Sequence, residues 1–182
     1  MGSGTTLVEA KLLNRNAIGI DINPQSVSIS ETNLQFQCES NSKVYTKIGT
    51  ATDLSMIKDG GIDFICTHPP YANIIKYSHS IDGDISLLQV DEFIDSMKLV
   101  ANESYRVLKK EKMCAVMIGD MRKRGKVIPL GFRVMECFLQ AGFSSEEIII
   151  KEQHNCRSTE YWENQEKSFL LLAHEYIFVF QK

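Results

Sequence analysis

Short apolar runs of five or six residues alternate with helical stretches along most of this 182-residue chain, and that alternation narrows the fold more than any other feature. Strands separated by helix-length crossovers build a mostly parallel sheet with helices on both faces. Thr5 to Asn14 places Leu7, Ala10 and Leu13 at helical spacing, which predicts the first helix. Ala17 to Asp21 reads as a short buried strand ending in an acid, and Asn23-Pro24 starts the next helix with a capping side chain and a proline at the first helical position. Val44 to Ile48 and Ile62 to Cys66 are the next strands, with a short helix expected at Leu54 to Ile57 between them. A long amphipathic helix from Gln89 to Leu108 leads through a charged connection, Lys109 to Lys112, into the buried strand Met113 to Ile118. A helix from Pro129 to Gln140 stops at Ala141-Gly142. Glu146 to Lys151 and Ser168 to Phe180 are expected as antiparallel neighbours at one sheet edge, and Ala72 to Leu88 as a long loop of the kind that carries function.

Length and pattern predict one domain over residues 1–182. The formal net charge of −3 supplies no global basic field, so any contact with a polyanion rests on local clusters. Five cysteines, Cys38, Cys66, Cys114, Cys137 and Cys156, are widely spaced and none shows metal-ligand spacing. Cys66 and Cys114 lie in apolar runs read as buried strands, where a reduced thiol behaves as a small hydrophobe. That usage suits a cytoplasmic protein. The amino terminus is polar and glycine-rich, unlike a secretion signal, and no apolar run reaches membrane-spanning length.

Gly2-Ser3-Gly4-Thr5 opens directly into the first helix, and glycines there let a ligand approach backbone amides at a helix start. A cloning remnant or a flexible terminus competes with that reading. Asp21 lies at the carboxyl end of a strand, roughly 20 residues beyond the glycine turn, where such folds set an acid against ribose hydroxyls. Capping of the Asn23-Pro24 helix is its alternative role, and the two are compatible. Asp53 follows the next strand and suits either the amino group of an adenine or the cap of a short helix. Thr67-His68-Pro69-Pro70-Tyr71 follows the strand Ile62 to Cys66, at the end where open α/β sheets bind ligands. The two prolines stiffen the backbone and remove two donors, which leaves neighbouring carbonyls free to accept, and Tyr71 offers a face to a planar base. Such acceptors suit the N–H groups of a poorly nucleophilic exocyclic amine, held for attack on an electrophilic methyl group. A rigid turn is the bland alternative.

Gly2-Ser-Gly-Thr-Thr-Leu-Val-Glu-Ala together with Ala17-Ile-Gly-Ile-Asp-Ile-Asn-Pro24 resembles the cofactor motif of amino-methylating DNA methyltransferases. Thr67-His-Pro-Pro-Tyr71 is similar to their catalytic tetrapeptide, Asp, Asn or Ser followed by Pro-Pro and an aromatic. Gly119-Asp-Met-Arg122, Pro129-Leu130 and His174 to Phe180 resemble later parts of the same catalytic domain. The resemblance implies a Rossmann-like methyltransferase fold, S-adenosylmethionine as methyl donor, and DNA as partner, with the target base flipped into the pocket. It implies cofactor contacts from Gly2, Ser3, Gly4, Thr5, Asp21, Ile22, Asp53, Leu54 and Thr67, and a base held by His68, Pro69, Pro70 and Tyr71. His68 departs from the family pattern, and a neutral imidazole supplies a single acceptor nitrogen. The family also has a strand before the glycine turn and a target-recognition part. Relative to that pattern the chain reads as amino-terminally incomplete, with a second chain expected to supply the strand or the target-recognition part. The Thr-x-Pro-Pro-Tyr form leans toward N4 of cytosine over N6 of adenine, by resemblance only. The same chemistry on RNA or protein glutamine, and a non-catalytic subunit, are the alternatives. Arg122-Lys-Arg124 with Lys126 is the strongest basic cluster, fit for DNA phosphate or for a solvated loop. Lys76 and Tyr77 are further candidates for DNA contact. His154, Cys156, Arg157 and Trp162 mark a polar segment read as a surface connection, and His174 reads as a satisfied structural histidine.

Overall fold

A computed structural model describes residues 1–78, 80–153 and 170–182. In order they form α1 (Thr5–Leu12), β1 (Ala17–Asp21), α2 (Pro24–Asn33), β2 (Val44–Ile48), β3 (Ile62–Thr67), α3 (Val90–Val107), β4 (Leu108–Ile118), β5 (Met121–Lys123), β6 (Lys126–Ile128), α4 (Leu130–Gln140), β7 (Ser144–Glu152) and β8 (His174–Gln181). Local chemistry sets several of these boundaries. The Asn23 side chain accepts from the Gln25 amide at 2.9 Å, with Pro24 at the first helical position. At α3, Glu92 reaches back to the Gln89 amide to complete a capping box.

The core lies between α3, α4 and one face of the sheet β3-β4-β8-β7. α3 contributes Phe93, Met97, Val100, Ala101 and Val107 at spacings that keep them on one stripe, and α4 contributes Leu130, Val134 and Phe138. They meet Cys114, Val116 and Ile118 of β4 and Tyr176, Phe178 and Phe180 of β8, which alternate as strand residues on one face must. Phe138 stacks on Phe180 with ring centroids 5.1 Å apart. Burial of each such side chain contributes about 1.5–3 kcal/mol, so this layer supplies most of the driving force. β3 and β4 are parallel, while β8 runs antiparallel to both β4 and β7.

β1 and β2 form a separate parallel pair, with α1 and α2 packed on it. The expected single sheet is therefore divided. β1 pairs only with β2 and β3 only with β4, so among the described residues each keeps one open edge. The amino group of Met1 donates to the Ile20 carbonyl at 3.4 Å, which sets residue 1 beside the end of β1. The open edges also explain why two strands expected to be buried are not. Ile18 is 46% and Phe64 58% exposed, and Cys66 is exposed rather than buried, whereas Cys114 with a neighbour on each side is fully buried.

Three further local expectations differ. Leu54 to Ile57 forms turns, not a helix, because its amide and carbonyls are bound from α3. Lys109 to Lys112 continues β4, with Glu111 at φ 62° absorbing the irregularity opposite β3. Residues 121–128, read as a loop, form the hairpin β5–β6 around Arg124 (φ 51°) and Gly125 (φ 78°), the paired positive φ angles that tight hairpin turns require. No helix among the described residues is long and apolar enough to cross a membrane.

Candidate functional site

The glycine turn is held from two sides. Asp21, at the carboxyl end of β1, accepts from the Gly2 amide at 2.9 Å and the Met1 amino group at 2.8 Å through one oxygen. Its other oxygen accepts from the Asn23 amide at 3.0 Å. Burial works against the charged carboxylate, but the amino group and the two amides outweigh it and hold its pKa below the ordinary value. From the other side, Ser30 of α2 donates to the Gly2 carbonyl and Asn33 to the Ser3 carbonyl, both at 2.9 Å. With its carbonyls bound, the turn is stiff. Gly2 and Gly4 both take positive φ, at 57° and 82°. No capping side chain bonds the amides of the first turn of α1, and the space above Gly2 is open. A helix start in that state suits a ligand with polar or anionic groups.

Asp53 and Leu54 are placed differently. The Asp53 carboxylate accepts from the Ser55 amide at 2.9 Å, which lowers its pKa. It lines an open cleft of about 470 Å³ with Thr52, Ser55, Leu99, Asn102, Glu103 and Arg106. Arg106 is the organiser here: its guanidinium binds the carbonyls of Leu54 and Ile57, each at 2.9 Å, while Glu103 takes the Leu54 amide at 2.7 Å. None of the glycine-turn or Thr67–Tyr71 residues lines this cleft. Sequence reading missed Arg106 and Glu103, whose helical i, i+3 spacing looks like an ordinary surface ion pair.

Thr67 ends β3, and His68 to Tyr71 leave it at the sheet's carboxyl edge. Pro69 is buried and Pro70 half-buried, so the pair is wedged in place while the His68 side chain remains 45% exposed. Tyr71 is half-buried, and its ring lies against Gly119 at the end of β4, where an added Cβ would sit 3.4 Å from the ring. The Tyr71 hydroxyl donates to Glu175 of β8. His68 Nε2 lies 3.0 Å from the same hydroxyl oxygen and 3.6 Å from the Glu175 carboxylate. Lys151 of β7, the cross-strand partner of Glu175, donates to its second oxygen at 2.6 Å. Burial raises the Tyr71 pKa and the bond to Glu175 raises it further, so the phenol keeps its proton. Burial lowers the His68 pKa against the opposing pull of Glu175, with Lys151 adding to the lowering. Glu175 is nearly fully buried, yet Lys151 and Tyr71 keep it ionised.

The loop after Tyr71 approaches the carboxyl end of β1. Tyr77 accepts from the Asn23 side chain at 3.5 Å, and Gly83 packs against Ile22, so the segment that leaves Pro69-Pro70 returns to the carboxyl end of β1. Asp84 fixes that loop by accepting from Ser78 at 2.5 Å and from the Ser86 amide at 2.9 Å. Lys76 and Tyr77 are exposed on it. His174 is half-buried with Nε2 3.1 Å from the Tyr176 hydroxyl, as a satisfied structural histidine would be. His154, Cys156, Arg157 and Trp162 lie outside the described residues.

A methyltransferase of Methanosarcina mazei, named as S-adenosylmethionine-dependent, superposes with a TM-score of 0.67 at 15% identity, over 100% of this chain and 88% of that one. A Thermus thermophilus protein, named as a candidate DNA modification methylase and solved with S-adenosyl-L-methionine, gives 0.55 at 22% identity over 74% of this chain. The match spans 53% of the Thermus chain, about half its length. The 4+2 cyclase SpnF gives 0.64 at 15% identity, over 100% of this chain and 72% of its own. The Rossmann-like methyltransferase fold is therefore secure, and a cyclase on the same fold shows that architecture alone does not fix the reaction. No curated protein matches the sequence. The family model for DNA methylases, the N6/N4 group, matches residues 1–32 and 62–182, which takes in the glycine turn, Asp21, the Pro-Pro segment and Glu175. With well over half of its residues matched, the chain belongs to the DNA methylase family.

Proposed function

We propose that the chain transfers a methyl group from S-adenosylmethionine to an exocyclic amino group of a DNA base, N4 of cytosine or N6 of adenine. The approach of the loop after the Pro-Pro segment to the end of β1 supports this reading, because that strand ends in Asp21, which holds the glycine turn. The turn fits the cofactor: two glycines at positive φ, an uncapped helix start and open space above Gly2 form a cradle for a nucleoside with a charged tail. Gly2, Ser3, Gly4 and Thr5 would line it, with Asp21 and Ile22 at the ribose, Asp53 and Leu54 toward the adenine, and Thr67 between donor and target. Bound there, S-adenosylmethionine supplies an electrophilic methyl group.

The remaining work falls to the protein's own residues. Pro69 and Pro70 carry no N–H, so the carbonyls around them and the His68 imidazole face a target amine as acceptors. Acceptors aimed at both N–H groups orient the nitrogen lone pair and stabilise positive charge as it develops. The base must leave its duplex to reach them. The hairpin β5–β6 presents Lys123, Arg124 and Lys126 on the loop after β4, a local cation cluster on a chain of net charge −3 and suited to phosphate. The open edges of β1 and β3 support a second chain as partner, adding a strand or a target-recognition element. The free thiols of Cys38, Cys66, Cys114 and Cys137 support a cytoplasmic setting.

Transfer of tritiated methyl groups to DNA, RNA and protein offered side by side tests the proposal. Label is expected in DNA, in an amino-methylated base. Label confined to RNA or protein would overturn the choice of substrate. Calorimetric absence of S-adenosylmethionine binding would overturn the enzymatic reading itself.

A further inference from the structure

We propose that Glu175 is a positioning residue that sets the tautomer of His68, leaving Nδ1 as the lone pair that receives the target amine. The inference rests on His68 as an amine acceptor, as read above, and assigns the acceptor atom and the residue that selects it.

A phenol has one proton to donate and lone pairs to accept. Glu175 is a carboxylate, held ionised by the Lys151 ammonium at 2.6 Å, and it can only accept. The Tyr71 proton is therefore committed to Glu175. At 3.0 Å, the one role left to His68 Nε2 toward the phenol oxygen is donor. A neutral imidazole carries a single N–H, so the proton on Nε2 leaves Nδ1 unprotonated. Nδ1 has no hydrogen-bond partner among the described residues, and the side chain is 45% exposed. The chain Lys151–Glu175–Tyr71–His68 thus runs from β7 through β8 to the loop after β3, and each proton in it has one place to go. It also accounts for histidine where the family pattern has Asp, Asn or Ser: an imidazole locked in this form presents an acceptor lone pair, which those side chains also supply.

Nitrogen-15 NMR of the chain labelled at histidine reads the tautomer directly, without cofactor or DNA. The expected result at pH 8 is a protonated Nε2 and an unprotonated Nδ1 on His68, with Tyr71→Phe moving the ring toward a mixture of the two forms. Glu175→Gln should shift the same balance and lower kcat roughly tenfold while KM for S-adenosylmethionine stays within about twofold, because the change acts on the acceptor and not on the glycine turn. If Glu175→Gln fails to fold, Tyr71→Phe and Lys151→Met carry the test on the same spectra. A proton on Nδ1 in the wild-type chain overturns the inference, as does a tautomer that neither Tyr71→Phe nor Glu175→Gln disturbs. Methyl transfer to DNA with the opposite tautomer would sink this inference alone, whereas the predicted tautomer without any transfer would sink the functional reading alone.

Discussion

Replacing Gly4 by alanine isolates what the glycine turn demands of its second glycine. Gly4 sits at φ 82°, where an L-residue crowds its own carbonyl at a cost of about 1–2 kcal/mol. The added methyl would also lie 2.8 Å from Ser30 Cβ and 3.1 Å from Ser30 Cα. Those atoms belong to α2 and cannot swing aside as the tip of a long side chain would. Relief requires α2 to shift, which strains the bonds from Ser30 to the Gly2 carbonyl and from Asn33 to the Ser3 carbonyl, and overpacking of that kind costs about 1–3 kcal/mol more. The expected destabilisation is therefore about 2–5 kcal/mol in urea unfolding, a large share of the roughly 5–15 kcal/mol that holds a typical domain together. Gly2→Ala is the internal control. Its φ of 57° carries the same kind of backbone strain, but its methyl would meet open space, so it should cost about 1–2 kcal/mol. Ser30→Gly in the Gly4→Ala background should return the clash part and leave the backbone part, seen as a favourable coupling in a double-mutant cycle. Equal destabilisation by the two alanines, or no coupling to Ser30, would refute the close approach of α2 to the turn.

Activity should fall on acidification with a midpoint below the ordinary histidine value of about 6.5, because burial holds the His68 pKa down and protonation removes its acceptor lone pair. Glu175 stays ionised across that range, so the acid limb reports His68; it should vanish in His68→Asn, and a wild-type profile flat down to about pH 5 would remove the imidazole from the reaction. Neutralising Lys123, Arg124 and Lys126 together to glutamine should weaken DNA binding and flatten its log–log salt dependence by about 0.9 per lost phosphate contact, with S-adenosylmethionine affinity unchanged. Arg122 is left in place in that variant because it clamps the turn through the Gly125 carbonyl at 2.7 Å. An unchanged salt slope would make the hairpin a solvated loop.

The elements that sequence reading located best are those specified by local chemistry. β1 and β2 match the expected residues, and Asn23-Pro24 marks the start of α2, because caps and short apolar runs need only their neighbours in sequence. The differences come from long-range effects. Leu54 to Ile57 lost its expected helix to Arg106 and Glu103, some fifty residues away. The hairpin β5–β6 hides because its strands are three residues each and half of those residues are charged; its signal is Arg124-Gly125 between the apolar Met121 and Ile128. The burial of β1 and β3 was overestimated because an apolar run does not reveal whether both edges of its strand are paired. Glu175 lies in a run of aromatic and aliphatic residues, and its partner Lys151 becomes visible only once β7 and β8 are set in register.

That buried acid asks why β8 carries a charge at all. Glu175 is 5% exposed, and an ion pair in such a position is weak evidence for stability, since the desolvation of the carboxylate offsets much of its attraction to Lys151. A methyl-bearing side chain of similar size would serve packing at least as well, facing the same side of β8 as Ile177 and Val179. What an apolar residue could not do is accept a hydrogen bond from Tyr71 and offer none in return. The Lys151–Glu175 pair makes the direction of every hydrogen bond toward His68 determinate, and a site whose acceptors are fixed before the amine arrives needs no rearrangement when charge develops on nitrogen. The pair is better explained by what it imposes on the loop after β3 than by what it adds to the stability of the sheet.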